Sequence, residues 1–273
     1  MYLGVDVGGT KTLLAAFSPS GELLKTAKFP TDKDYDNFVK DLAVHIPELD
    51  VKDFLAGCVA LPGRIDRKNG RGVKMGNLDW RNFPIAADLE KIIGAPVTVE
   101  NDAKAGALSE ALIIIKEFKK SLFITIGTGI GVALITNGVI DIDESDSGGN
   151  SIMLEHQGRI QSWESFASGK AITEQFGKKA EDITDESSWK IVAHNLALGI
   201  INLIAIMQPD VIIIGGGVGH YYDHFAPFLD GELKKFQTPL TPIPPIHKAQ
   251  RPEEAVIYGC YELAKARYGK AAS

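Results

Sequence analysis

The first thirty residues constrain the fold more than any other stretch. Tyr2-Leu3-Gly4-Val5-Asp6-Val7 reads as a buried strand that enters a Gly8-Gly9 turn, and Thr12 to Phe17 reads as the strand returning from it. A turn at Pro19-Ser20-Gly21 leads into a third strand, Glu22 to Phe29. Three antiparallel strands exclude a Rossmann opening, in which a helix follows the first glycines. The same pattern restarts at Ser121, with a strand Leu122 to Ile126, a turn Gly127-Thr128-Gly129 and a returning strand Ile130 to Thr136. A single strand–Gly–strand segment is common. Its recurrence predicts two lobes of similar build.

Between these segments the pattern predicts a helix at 36–46, a buried strand at 54–61 running into Pro62-Gly63, a helix at 84–93, a strand at 97–100 and a helix at 102–115. After them come a polar, Gly-rich stretch (141–150), a helix from Ala167 to about Ala180 and a long helix at 188–207. A strand at 211–214 then ends in Gly215-Gly216-Gly217, a Pro-rich segment spans 239–245, and a helix at 252–268 closes the chain. At 273 residues the chain has room for one large domain or two modest lobes. Its net charge of −6 argues against a surface that coats nucleic acid, yet a few backbone N–H groups still suffice for one phosphate. Cys58 and Cys260, both in apolar stretches, read as small buried hydrophobes in a reducing compartment rather than a disulfide framework. No basic leader precedes Tyr2, and no window reads as the roughly 20 apolar residues of a membrane span. The expectation is a cytoplasmic protein with no membrane and no nucleic-acid partner.

Three Gly-rich turns follow apolar strands: Gly8, Gly9, Thr10 and Lys11; Gly127, Thr128, Gly129 and Gly131; and Gly215, Gly216 and Gly217. Glycine lets the backbone approach a ligand, and successive N–H groups then point at phosphate oxygens. A P-loop would need Gly-x-x-x-x-Gly-Lys-Thr leading into a helix, so the first turn is not one. Each turn alone also reads as a plain hairpin, but three at strand ends suit a nucleotide, since ligands of α/β sheets bind there. An acidic residue ahead of such a turn, here Asp6, can hold hydrated Mg2+. Glu100-Asn101-Asp102-Ala103 joins a strand to a helix. Asp102 can take the proton of a hydroxyl attacking a phosphoryl group, and Asn101 can bind sugar hydroxyls. The competing reading is helix capping, for which both residue types are favoured.

Taken in order, Asp6-Val7-Gly8-Gly9-Thr10-Lys11, Ala60-Leu61-Pro62-Gly63-Arg64, Asn77-Leu78-Asp79-Trp80, Glu100-Asn101-Asp102-Ala103, Gly127 to Gly131, Glu164 to Gly169, Ile212 to Val218 and Tyr258-Gly259-Cys260 form a specific succession. It resembles the ROK family (repressor, open reading frame, kinase), which includes bacterial glucokinases, fructokinases and kinases of N-acetylated hexosamines. The resemblance implies an α/β, two-lobed actin-like ATPase (ribonuclease H-like) fold with a cleft between lobes. One lobe would span 1–115 joined by the helix at 252–269, and the other 116–251. It further implies an ATP-dependent hexose kinase with Asp102 as general base and ATP with Mg2+ as cofactors. Gly8 to Lys11 and Gly127 to Gly131 would hold phosphates, Gly215 to Gly217 would flank the adenosine, and Asp6 would serve the metal through water. Gly63, Arg64, Asn77, Asn101 and Glu164 would border the sugar.

The chain departs from that family in one region. The usual Glu-x-Gly-His and the cysteine cluster for structural zinc have no counterpart in Gly148 to His156, and no cysteine lies between Cys58 and Cys260. Structural zinc is therefore not expected, because such sites need four closely spaced Cys or His ligands. Glu155 with His156 would replace the missing sugar ligands only with a shifted register; the competing reading makes them turn residues ahead of Gly158. Two other functions share the motifs: a sugar-responsive regulator, which would carry a DNA-binding segment ahead of Tyr2, and a non-catalytic sugar- or nucleotide-binding module. The sugar itself, the donor (ATP or polyphosphate) and a homodimer are left open at this level.

Overall fold

The computed structural model describes residues 1–76, 78–251 and 254–269. The chain divides into two compact units, Met1–Ser109 with Glu254–Ser273, and Glu110–Glu253.

The first unit opens with β1 (Tyr2–Val7), β2 (Lys11–Phe17) and β3 (Leu23–Pro30), followed by α1 (Tyr35–His45), whose first turn is capped by the Asp34 carboxylate accepting from Asn37 N–H. Then come β4 (Ala56–Leu61), the short strands β5 (Gly63–Asp66), β6 (Arg71–Met75) and β7 (Arg81–Phe83), α2 (Ile85–Ile93), β8 (Val97–Asn101) and α3 (Asp102–Ile113). Among the described residues the main sheet has the order β3-β2-β1-β4-β8, antiparallel through its first three strands and parallel from β1 to β4 to β8. Every residue of β4 and β8 is buried, as expected of parallel strands covered on both faces. The strands β5, β6 and β7 form a separate antiparallel sheet.

The second unit begins with β9 (Lys120–Ile126), β10 (Ile130–Thr136) and β11 (Val139–Ile140), then the hairpin β12 (Met153–His156) and β13 (Arg159–Ser162). It continues with α4 (Trp163–Ala167), α5 (Gly169–Phe176), α6 (Glu186–Met207), β14 (Val211–Gly215), α7 (Gly216–Gly219), α8 (Tyr222–Lys234) and β15 (Ile246–Lys248). Its sheet order is β11-β10-β9-β14-β15, antiparallel for the first three and parallel for the rest. Strand for strand this repeats the first unit, so the echo between the two Gly turns marks a repeated architecture. Two sheets of one order, each with a glycine turn after its first strand, are what the expected actin-like ATPase fold requires.

The last helix, α9 (Ala255–Tyr268), belongs to the first unit and packs on β1 and β4. Gly259 lets it approach α3: a Cβ there would overlap the backbone carbonyl of Ala105. Cys58 on β4 and Cys260 on α9 are free and fully buried. Burial, then a hydrogen bond to Cys260, pushes the Cys58 thiol well up, as expected of inert core thiols. In the second unit, α6 is 22 residues long and has an apolar window of mean hydropathy 1.7, long and apolar enough to cross a membrane by composition. This departs from the reading of the sequence, which found no such window. Trp189, Val192, Leu196, Ile200 and Leu203 of that helix are buried in the core of their own unit. The apolar length is thus accounted for by a core helix.

Candidate active site

The end of β1 places Asp6 at the carboxyl edge of the first sheet, directly before the Gly8-Gly9 turn. That turn is braced from beneath. Gly8 N–H donates to the Lys11 carbonyl at 2.9 Å, and Thr31 Oγ1 donates to the Gly8 carbonyl at 2.9 Å. The Thr31 hydroxyl also meets that of Thr12 at 2.9 Å, and Thr31 N–H reaches the Thr10 carbonyl at 3.0 Å. Thr10 and Lys11 are left exposed.

Asn101 and Asp102 share the same sheet edge, where β8 passes into α3. Asn101 is the capping residue: its Oδ1 accepts from Lys104 N–H at 3.2 Å, and its Nδ2 donates to the Gly63 carbonyl at 3.2 Å. Asp102 is the next residue, the first of the helix, and its Oδ1 accepts from its neighbour Ala103 N–H at 2.8 Å. Of the two side chains, Asn101 makes the hydrogen bond expected of a helix cap.

Asp6 and Asp102 are close enough to perturb each other. The Asp6 carboxyl is pushed up to about 7, first by desolvation, then by the negative charge of Asp102, with Lys28 partly offsetting both. Two carboxylates so arranged need a shared proton or a cation. Mg2+ binds one or two carboxylates and keeps several waters, so the donor set fits a hydrated magnesium ion. Among the described residues no group of three or more His, Cys, Asp or Glu side chains forms a metal-ligand cluster.

Glu100, one residue before Asn101, is 5% exposed and held by a residue that sequence reasoning missed. Arg67, in the β5–β6 turn, donates from Nε to both carboxylate oxygens at 3.0 and 3.1 Å and from Nη2 to Oε1 at 2.5 Å. Glu100 Oε1 also accepts Asn101 N–H at 2.7 Å. Arg67 and the Gly63 carbonyl thus tie the β5–β6 hairpin to the elbow that carries Asp102. The only hint in sequence was a glutamate in a buried strand, which must find a cation. Gly63 sits at φ 135°, and a Cβ there would overlap the Lys74 carbonyl. Arg64 is exposed on β5, and Asn77 lies outside the described residues.

In the second unit, the β9–β10 turn and the end of β14 come together. Gly127 N–H donates to the Gly129 carbonyl at 2.9 Å, and the Gly127 carbonyl accepts from Gly169 N–H at 2.7 Å, which docks the start of α5 on the turn. Glu164 on α4 accepts from Ile130 N–H at 2.8 Å and lies so close that a Cβ on Gly129 would overlap its carboxylate. Thr128 is exposed, and Gly131 follows on β10, opposite Thr125 of β9. Gly216, at φ 80°, runs across the end of β9, where a Cβ would stand 2.7 Å from the Ile126 nitrogen and carbonyl oxygen. Gly215 and Gly217 flank it at the entry to α7. Glu155 is exposed on the β12–β13 hairpin, where its Oε1 accepts from Gly158 N–H at 2.6 Å. His156 stacks on Phe166 with ring centroids 4.1 Å apart. These two residues end β12, just ahead of the Gln157-Gly158 turn, and no bond links them to Gly127–Gly131 among the described residues.

Residues 2–267 match the model of the ROK family. An N-acetyl-D-glucosamine kinase from Vibrio cholerae is 30% identical over 299 residues, covering 95% of this chain and 98% of that protein. Among solved structures, a ROK family glucokinase from Streptomyces griseus in complex with glucose and AMPPNP superposes with TM-score 0.83 at 23% identity, covering 97% of this chain and 99% of that one. A ROK family transcriptional regulator, a homologue of the E. coli MLC protein, superposes with TM-score 0.85 at 20% identity, covering 98% of this chain and 78% of that one. At those identities the two structures establish the actin-like ATPase fold. With the family match extending over nearly its whole length, this chain belongs to the ROK family.

Proposed function

We propose that this protein is an ATP-dependent sugar kinase that phosphorylates a hexose hydroxyl, with Asp102 as the general base. The observation that carries this reading is the division of labour at the β8–α3 elbow. Asn101 takes the cap, and Asp102 stands beside Asp6 at the edge where Gly63 and Asn101 meet. Phosphoryl transfer asks for positioning and charge stabilisation more than covalent chemistry from the protein. Asp102 accepts the proton of the attacking hydroxyl, which sharpens that oxygen as it approaches phosphorus. Asn101, Gly63, Arg64, Asn77 and Glu164 border the sugar. Glu155 joins them only if its contact to Gly158 is released. Gly8 to Lys11 and Gly127 to Gly131 hold phosphates, and Gly215 to Gly217 flank the adenosine. Asp6 would hold Mg2+ through water, and the ion when bound would supply charge neutralisation for the transferred phosphoryl group. The ATP requirement assigns the reaction to the cytoplasm. The V. cholerae kinase and the S. griseus glucokinase support the reading by name.

The regulator-like structure is the reason to test catalysis directly. A coupled ADP-release assay over glucose, mannose, fructose and N-acetylated amino sugars should give turnover with at least one. Replacing ATP by polyphosphate in the same assay identifies the donor. Nucleotide binding without ADP release for any sugar contradicts the proposal and favours a regulatory or non-catalytic binding protein.

A further inference from the structure

The small sheet β5–β6–β7 collects cations in an unusual way. Arg64 on β5 is the register partner of Lys74 on β6, and Lys74 is the register partner of Arg81 on β7. Register partners share a face, and neighbouring strands lie about 4.8 Å apart, so the three side chains form a row about 10 Å long. All three are exposed. Like charges directly opposite one another destabilise a strand pair. The arrangement also stands out on a chain of net charge −6. Among the described residues no carboxylate lies within ion-pair distance of Arg64, Lys74 or Arg81.

The row borders a cavity of about 430 Å³. Lys33, Lys74 and Arg81 line it against a single carboxylate, Asp79, and Met75, Leu78 and Trp80 supply an apolar wall. That wall is firm. Trp80 Nε1 donates to the Lys33 carbonyl at 2.8 Å, and its ring packs on Tyr35, Phe38 and Phe83. Two of the lining residues are joined by backbone to the sugar-bordering segment: Gly76 N–H donates to the Pro62 carbonyl at 3.0 Å, and Met75 pairs with Gly63.

An apolar wall with a cationic rim suits a small organic anion, and the volume falls in the range of roughly 300–1,000 Å³ usual for small-molecule sites. A neutral hexose gives such a rim no counter-charge. A row this short inside one cavity does not track the many phosphates of a nucleic acid. We propose that this cavity is a subsite for an anionic substituent, phosphoryl or carboxylate, on a sugar held at Pro62–Gly63. The place of the sugar rests on the kinase reading, whereas the anion rests on the cation row alone.

Calorimetric titration of the intact protein, without ATP, with glucose, glucose 1-phosphate, glucuronate and inorganic phosphate tests this directly. At least one of the two anionic sugars should bind about tenfold or more tighter than glucose, the scale of a charge-assisted contact. Whether that is glucose 1-phosphate or glucuronate identifies the anion. In the double variant Lys74→Gln, Arg81→Gln the advantage should fall below about threefold, with glucose binding retained, since both side chains are exposed and bear on the anion alone. Equal binding of charged and neutral sugars overturns the subsite, as does an advantage that survives the double variant. Binding of inorganic phosphate with no advantage for either anionic sugar overturns it too, in favour of a plain anion site. Absence of ADP release with every sugar, while the charge advantage persists, would remove the kinase reading and leave the anion site standing.

Discussion

Replacing Asp6 by Asn should stabilise the metal-free protein, and by an amount that grows with pH. The Asp6 carboxyl moves from 3.8 to about 7 on folding because burial and Asp102 disfavour its charge. Between those values the folded chain binds a proton that the unfolded chain has released. Stability therefore falls as pH rises from about 4 to about 7 and levels off above it. Each pH unit within the window costs about 1.4 kcal/mol, so the full effect is about 4 kcal/mol as an upper bound. Roughly 1.5 kcal/mol of it has accrued by pH 5, which leaves about 3 kcal/mol between pH 5 and pH 8. Asn removes this titration while keeping the shape. Urea unfolding of wild type and Asp6→Asn in EDTA, at pH 5 and pH 8, measures the difference with other titrations cancelled. The gap in favour of the variant should widen by up to about 3 kcal/mol. Added Mg2+ at pH 8 should stabilise wild type more than the variant. A gap independent of pH would refute the argument that Asp6 is a desolvated carboxylate facing Asp102.

Other consequences follow from single contacts. Arg67→Met leaves the buried Glu100 charge unpaired and should cost about 3 kcal/mol in urea unfolding, with much of the loss recovered in the double variant Arg67→Met, Glu100→Gln. Gly129→Ala forces a Cβ into the Glu164 carboxylate, which stands against the phosphate turn and belongs to the proposed sugar site; the KM for ATP should rise about tenfold, an overpacking cost of a kcal/mol or more, and the KM for sugar should rise with it. Gly259→Ala drives a methyl into the Ala105 carbonyl where α9 meets α3, and should lower stability by about 1–3 kcal/mol without changing the KM for ATP.

The repeated sheet was legible because its cause is local: apolar strands broken by glycine turns at Gly8-Gly9 and Gly127–Gly129 impose the same hairpins twice. Eight strands of the two main sheets, β1–β4, β8–β10 and β14, fall within a few residues of the positions read from periodicity, whereas β11 and β15, of two and three residues, were not read. The predicted helix from Ala167 to about Ala180 is α5, capped at its start by Ser168 and ended early by Gly177 at φ 66°; the short α4 that precedes it was not read. The sheet β5–β6–β7 and the hairpin β12–β13 escaped because strands of three to five residues give too little alternation to register. Helix α8 escaped because Pro227 lies inside it and reads as a breaker. At the site, the glycine turns and the Asn101-Asp102 elbow were visible as motifs, but their partners were not. Arg67 lies 33 positions from Glu100, and Glu164 lies 34 from Ile130, so pairings set by the tertiary fold leave no spacing signal.

Proton abstraction from the sugar hydroxyl by Asp102 is read out by the variant Asp102→Asn. Its turnover in the ADP-release assay should fall by about 10² or more, while sugar affinity by calorimetry stays near wild type and the unfolding midpoint stays at or above it, since the charge facing Asp6 is removed. Near-normal turnover in that variant would contradict the account and remove Asp102 from the chemistry.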